Sequence, residues 1–161
     1  MSNRLQRIHV IDRSLDPAQA ELWVTAQTDH VTATTELRGR LTGPRCLYAA
    51  TVEVAYPLRP FARRPEGLSG PAARVVIPEP SLWDPQGPFL YQGTVELWED
   101  GRCCDRASFR HGLRRILIGP HGLRVNGRAM SLRGRAATRC NELEAAALRA
   151  AGVNLLATPT E

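Results

Sequence analysis

The chain has 161 residues, of which 43% are hydrophobic, so it is long and apolar enough to fold and is not a disordered polypeptide. Its formal net charge is +5, and all 21 basic residues are arginine. No apolar run approaches the ~20 residues that cross a bilayer, and the N-terminus has no apolar segment of the signal-peptide kind. These features exclude a membrane-spanning protein and predict a soluble, cytoplasmic protein without an export signal of its own.

The positive charge is concentrated between Arg102 and Arg139, where Asp105 is the only acidic residue. Such a stretch could bind a polyanion, but nucleic-acid surfaces usually combine arginine with lysine, and no recognition motif accompanies the charge. We therefore interpret these arginines as outward-facing strand residues and expect no nucleic-acid partner.

The four cysteines are Cys46, Cys103, Cys104 and Cys140. None belongs to a Cys-x-x-Cys pair, and no histidine stands at zinc-finger spacing. The spacing predicts free thiols in a reducing compartment, with no metal site and no cofactor.

Alternating apolar residues predict about seven short strands over residues 1–118, each bounded by turn residues. The predicted strands are 7–11, 21–27, 31–41, 47–56, 73–77, 94–100 and 106–118. The clearest alternation is in 47–56, where Tyr48, Val52 and Val54 share one face. In 106–118, Gly112 predicts a bulge that turns the inward face toward Ile116. This pattern is typical of an antiparallel two-sheet sandwich of the immunoglobulin-like kind.

A proline-rich crossover, 78–88, precedes the sixth strand and contains Trp83. Prolines lower the entropy cost of ordering such a segment. We expect Trp83 to cover one open end of the sandwich, next to Tyr91, while a ligand-stacking role remains the alternative.

The pattern changes over residues 119–161, where a hairpin, a helix and a strand are predicted. Asn126-Gly127 is a strong signal for a two-residue hairpin. Asn141 is a good N-cap for a helix that ends at Gly152, and an apolar strand follows. A strand, a helix and a strand in this order begin a βαβ unit.

These elements, in this order, resemble glycoside hydrolase family 2, which includes β-galactosidases, β-glucuronidases and β-mannosidases. The match to a Trp-x-Pro-x-x-Pro-x-Leu-Tyr element consists of Trp83, Pro85, Pro88, Leu90 and Tyr91. Gly112 and Arg114 match a Gly-Phe-Arg strand, in which Leu113 replaces Phe. The match to the hairpin and to the first barrel helix consists of Asn126, Gly127, Gly134 and Asn154.

The resemblance implies a noncatalytic sandwich, 1–118, followed by the truncated beginning of a (β/α)8 barrel, 119–161. In that family the paired catalytic glutamates lie further along the barrel, and the histidines that usually follow the hairpin and the first barrel helix are absent from this sequence. The chain therefore contains no catalytic residue that can be assigned, although the parent activity would be hydrolysis of O-glycosyl bonds.

Two functions remain open at this stage. In the first, the chain is a scaffold domain whose partners are the remaining domains of a parent glycosidase or a second copy of the chain. In the second, it is a free-standing immunoglobulin-like module that binds a glycan or a protein. The unpaired helix face and strand edge of the last 21 residues, 141–161, distinguish the two, because a self-contained module would cover them.

Overall fold

The structure, a computed structural model, describes residues 3–61, 63 and 65–158. Internal contacts divide the chain into two compact units, Met1–Arg114 and Arg115–Glu161.

The first unit is a sandwich of two four-stranded sheets in which all neighbouring strands are antiparallel. Sheet A has the order β1-β2-β6-β5, formed by Leu5–Leu15, Gln19–Thr28, Ala72–Pro78 and Arg59–Pro60. Sheet B has the order β4-β3-β7-β8, formed by Val54–Pro57, Glu36–Arg45, Leu90–Glu99 and Arg102–His111. The mainly-β fold class is therefore confirmed.

The core lies between the sheets because every second residue of the central strands is apolar and faces inward. In sheet A the buried side chains include Leu22 and Val24 of β2 and Val75 and Ile77 of β6. In sheet B they include Leu37, Leu41, Tyr91, Val95 and Leu97. This inward alternation was the basis for predicting these strands.

Two predicted strands are shorter than the pattern indicated. β3 begins at Glu36, and Val31 is 50% exposed in the preceding loop. The interval 47–53 is a turn and loop rather than a strand, and Tyr48 and Val52 are 55% and 83% exposed. Of the predicted strand 47–56, only the part within Val54–Pro57 pairs with β3, so the prediction from the clearest alternation was wrong over most of its length.

The predicted bulge at Gly112 is also wrong. β8 ends at His111, and the chain continues without strand pairing before β9, Ile116–Gly119, begins in the second unit. Leu113 is fully buried in the sandwich core, whereas Ile116 is 51% exposed. The inward parity of Phe109 therefore continues to Leu113 without a swap at Gly112, and the sandwich unit ends at Arg114.

The second unit begins with a three-stranded antiparallel sheet in the order β11-β10-β9, where β10 is Gly122–Val125 and β11 is Arg128–Met130. It ends with a βαβ unit: β12 (Gly134–Ala136), helix α1 (Glu142–Ala150) and β13 (Leu155–Ala157). β12 and β13 are parallel neighbours, as the strand-helix-strand pattern predicted.

Helix α1 starts with the predicted cap. The Asn141 side chain accepts the Glu144 backbone N–H, and the Glu144 side chain accepts the Asn141 backbone N–H, which forms a capping box. No residue of α1 is buried, and Leu143 is 84% exposed. The helix therefore forms from local signals, while Leu143 remains in solvent and Leu148 is only partly buried.

Candidate functional site

Trp83, Gly112 and Arg114, which the sequence singled out in two separate motifs, lie together in the sandwich unit. The Trp83 backbone N–H donates to the Leu113 carbonyl at 2.8 Å. The Arg114 guanidinium carbon lies 5.1 Å from the centre of the partly buried Trp83 ring, within the range of a cation–π contact. A Cβ on Gly112 would lie 3.0 Å from three atoms of the Trp83 side chain, so the ring would have to shift by a few tenths of an ångström to admit a larger residue.

Tyr91 occupies a second, fully internal position, with 1% of its surface exposed. Its hydroxyl oxygen accepts the Ser81 backbone N–H at 3.0 Å, which satisfies that polar atom inside the unit. Burial raises the pKa of the Tyr91 phenol. A Cβ on Gly43 would lie 2.7 Å from the Tyr91 ring, so Gly43 makes the space that this ring fills.

The crossover between Trp83 and Tyr91 is held by Asp84, a side chain that the sequence pattern did not single out. Asp84 Oδ1 accepts the backbone N–H groups of Gln86 at 2.9 Å and of Gly87 at 2.6 Å. This is a turn fixed by an aspartate, and the Asp-Pro-x-Gly spacing was its available signal. Pro85 lies inside the turn, and Pro88 and Leu90 lie between it and Tyr91.

In the second unit, Asn126 and Gly127 form the predicted hairpin turn between β10 and β11. Both have positive φ, 51° and 80°, as a type I′ turn requires. Asn126 also fixes the chain before β9, because its Oδ1 accepts the Arg115 N–H at 2.9 Å and its N–H donates to the Arg115 carbonyl at 2.8 Å.

Asn154 joins the two ends of the βαβ unit. Its Oδ1 accepts the Arg133 N–H at 2.8 Å, and its Nδ2 donates to the Ser131 carbonyl at 2.8 Å. Gly134 starts β12 beside it, and a Cβ there would lie 3.4 Å from the Leu155 side chain. The motif residues of this unit thus hold turns and strand ends in place.

Three carboxylates of the sandwich, Glu96, Glu99 and Asp105, have lowered pKa values, which favours their ionised form. Hydrogen bonds from Trp98 and Arg106 lower the pKa of Glu96, although partial desolvation opposes them. Hydrogen bonds from Thr32 and Thr35 lower the pKa of Glu99, and the Leu5 backbone amide lowers that of Asp105. A glycosidase general acid needs the opposite shift, toward neutral pH, so these groups are unsuited to that role.

Other site types find little support in the part of the chain that the structure describes. No three His, Cys, Asp or Glu residues among the described ones could hold a metal ion together. The described helix is too short to cross a membrane. A surface groove of about 390 Å³ on sheet B is lined by Gly39, Arg40, Thr94, Glu96 and Arg106, and its carboxylate is already bonded to Arg106.

Comparison with known proteins identifies a family for the sandwich unit. Residues 4–114 match the family described as glycosyl hydrolases family 2. Over 81 residues the chain is 28% identical to a β-galactosidase of Psychromonas ingrahamii, which covers 47% of this chain and 8% of that protein.

Solved structures show the same fold. A glycosyl hydrolase family 2 member from Bacteroides cellulosilyticus has a TM-score of 0.74 at 21% identity, over 99% of this chain and 24% of that one. A β-glucuronidase from Lactobacillus rhamnosus has a TM-score of 0.68 at 17% identity, over 99% of this chain and 26% of that one. The chain therefore spans about a quarter or less of the length of these relatives.

Proposed function

Because this chain belongs to family 2 of the glycosyl hydrolases, we propose that it is a noncatalytic scaffold region of a glycosidase. In this proposal the sandwich supports the start of a catalytic (β/α)8 barrel, and the second unit is that start. The parent protein would hydrolyse O-glycosyl bonds of carbohydrates, and the partners of this chain would be the remaining domains of that protein.

The observation that carries the proposal is the βαβ unit at the end of the described chain. Parallel neighbours β12 and β13 connected through a helix are the repeating unit of such a barrel. In a complete barrel, such strands and helices bury their apolar side chains against further strands and helices. Here Leu143 is 84% exposed, and Leu155 and Leu156 are 44% and 38% exposed.

The same exposure weighs against a free-standing binding module. A module that had adapted its tail to its own surface would cover these leucines, since an exposed apolar side chain loses the free energy of burial. Among the described residues of α1 none is buried. The scaffold function explains this, because the missing cover belongs to other parts of the parent protein.

Glu96 and Glu99 of the sandwich do not suit glycosidic hydrolysis. Hydrolysis of a glycosidic bond needs two carboxyl groups facing the bond, one with a raised pKa. Glu96 and Glu99 are instead bonded to neighbouring side chains that keep their pKa values low.

We therefore propose that Trp83, Gly112 and Arg114 have a structural role in the sandwich, and Asn126, Gly134 and Asn154 in the barrel start. Their bonds to backbone groups support this role.

A direct test uses the purified chain with nitrophenyl β-galactoside and β-glucuronide. We expect release of nitrophenol at the buffer rate. Turnover that disappears when a single acid, such as Glu99, is changed to glutamine would contradict the noncatalytic assignment.

The scaffold role is tested separately by sequencing the whole reading frame from which the chain derives. We expect the frame to encode further barrel strands that carry two glutamates, and a frame without them would contradict it.

A further inference from the structure

A central strand of each sheet carries the same three-residue pattern, Glu-Leu-Trp, with the glutamate and the tryptophan on the outer face. Glu21-Leu22-Trp23 lies on β2 of sheet A, and Glu96-Leu97-Trp98 lies on β7 of sheet B. Each leucine is fully buried, and each tryptophan indole donates to the glutamate two residues before it, at 2.8 Å and 3.0 Å. An arginine covers each ring, with its guanidinium carbon 5.0 Å (Arg13) or 4.2 Å (Arg38) from the ring centre.

The charges beside these patterns differ between the sheets. In sheet B, Glu96 lies directly between Arg38 of β3 and Arg106 of β8 in the strand register. Arg106 bonds Glu96 at 2.6 Å, and Arg38 bonds Glu36 on its own strand. Each arginine of this row therefore has a carboxylate.

In sheet A the matching carboxylate, Glu21, lies opposite no arginine in the strand register. Trp23 lies opposite Arg74 of β6, and Arg74 lies opposite Arg59 of β5. Directly opposite residues share a face and have Cβ atoms about 4.5–5.5 Å apart, where like charges repel. Both arginines are exposed, and within the described chain no carboxylate lies within ion-pair distance of either. Glu21, two residues from Trp23, is bonded to the indole instead.

An aromatic wall stands beside this arginine pair. Phe61 meets the Trp23 ring edge-on, with the ring centres 5.2 Å apart. Phe61 and Trp23 are partly buried, while Arg59 and Arg74 project beside them. Because Arg59 and Arg74 lie opposite each other on one face, their guanidinium groups can reach the same ligand, and a guanidinium fork binds carboxylate, sulfate and phosphate groups bidentately.

We propose that Arg59 and Arg74 form an oxyanion-binding site on the outer face of sheet A, next to Trp23. The ligand supplies the negative charge that this arginine pair lacks among the described residues. The recognised chemistry is a carboxylate or a tetrahedral oxyanion, either free or carried by a sugar acid.

The test is a ¹H–¹⁵N NMR titration of the full chain with sodium sulfate and, separately, with sodium glucuronate, at constant ionic strength. We expect saturable shifts of the Arg59 amide and of the β6 amides around Arg74. Arg59→Gln should weaken binding about tenfold, the effect of losing one charge-assisted hydrogen bond. Arg59→Lys keeps the charge but not the forked donor, so its affinity should lie between those of the parent and of Arg59→Gln. Arg38→Gln, on sheet B, is the matched control and should bind like the parent.

Equal affinity for sulfate and glucuronate would support a site that reads the oxyanion alone, and tighter binding of glucuronate would support one that also contacts the sugar. Absence of saturable shifts, or equal weakening by Arg38→Gln, would overturn the proposal. Thermal unfolding gives an independent measurement. Without sulfate at low salt, Arg59→Gln should raise the melting temperature by removing like-charge repulsion. Sulfate should then stabilise the parent more than this variant, and equal stabilisation would also overturn the site.

Discussion

The Leu5 backbone N–H donates to Asp105 Oδ2 at 2.8 Å and joins an edge strand of one sheet to an edge strand of the other. Leu5 begins β1 and Asp105 lies in β8, 100 positions later. The same carboxylate also accepts the Arg106 backbone N–H at 2.8 Å. A second contact across these strands, between His111 Nε2 and Asp12 Oδ1 at 2.6 Å, holds them at another point.

These bonds make the sandwich sensitive to acid. The Leu5 amide, followed by the Arg106 amide, keeps the pKa of Asp105 below its usual value. A lowered folded-state pKa means that the ionised form favours folding. The contribution is complete above the usual aspartate pKa of about 4 and is lost as the pH falls through the folded-state value. We expect the unfolding free energy of the parent to decrease over that acidic range, measured by urea titration at several pH values.

Asp105→Asn should lower the unfolding free energy at pH 7 by about 1 kcal/mol. This is the contribution of a charge-assisted hydrogen bond, reduced because Asp105 is partly exposed to solvent. It should also flatten the acid limb of the stability profile. Glu66→Gln removes an exposed carboxylate of the long loop and is the control, which should leave the profile unchanged. An unaltered acid limb in Asp105→Asn would show that this contact does not stabilise the fold.

Gly112 and Trp83 should be coupled in stability. Gly112→Ala places a Cβ 3.0 Å from the Trp83 side chain, and such overpacking costs about 1–3 kcal/mol. Trp83→Ala should cost about 2 kcal/mol, below the range for a fully buried aromatic residue because the ring is partly exposed. In the double variant the alanine at 112 should cost less than in the parent, since most of the ring is gone. Additive unfolding free energies in a urea double-mutant cycle would mean that the two residues do not share this space.

The sequence predicted those strands whose alternation results from burial on one face. Leu22 and Val24 of β2 face the core as expected, because β2 is a central strand of sheet A and its inner face is covered in the sandwich. The alternation of Tyr48 and Val52 was of equal quality, yet both side chains lie in solvent. Period 2 describes any extended segment, and a partner sheet decides whether it becomes a strand. No local pattern reports that partner.

The candidate residues divide along the same line. Turn residues such as Asn126 and caps such as Asn141 act on backbone groups near them in sequence, so their spacing was informative. The bond between Leu5 and Asp105, and that between Ser81 and Tyr91, connect parts of the fold that only the register brings together. Such contacts leave no periodicity to read.

Asn154 should control the order of the βαβ unit. Asn154→Ala removes the acceptor for the Arg133 N–H and the donor for the Ser131 carbonyl. These groups can bond to water instead, so we expect the free energy of local opening to fall by about 1 kcal/mol. The Arg133 amide should then exchange roughly tenfold faster. Asn154→Asp keeps the acceptor and should keep most of the protection at Arg133. Equal exchange of this amide in the parent and in Asn154→Ala would contradict the assignment.

Helix α1 has nine residues, and none of them is buried. A helix of this length is marginal in water without a packing surface, even with a capping box. We therefore expect its amides to exchange rapidly in dilute solution of the chain. If a second copy covers the helix, protection should appear at high protein concentration.

Leu143→Glu separates these two cases. It replaces the 84% exposed leucine with an acid in the first turn, where the helix dipole favours negative charge, so the helix itself is preserved. The variant should lose any concentration-dependent protection and otherwise behave like the parent. Asn141→Ala removes the cap and should weaken the helix by about 1 kcal/mol at every concentration. Strong protection of α1 in a dilute, monomeric parent would contradict both cases, because the helix would then have a cover within its own chain, as a self-contained binding module requires.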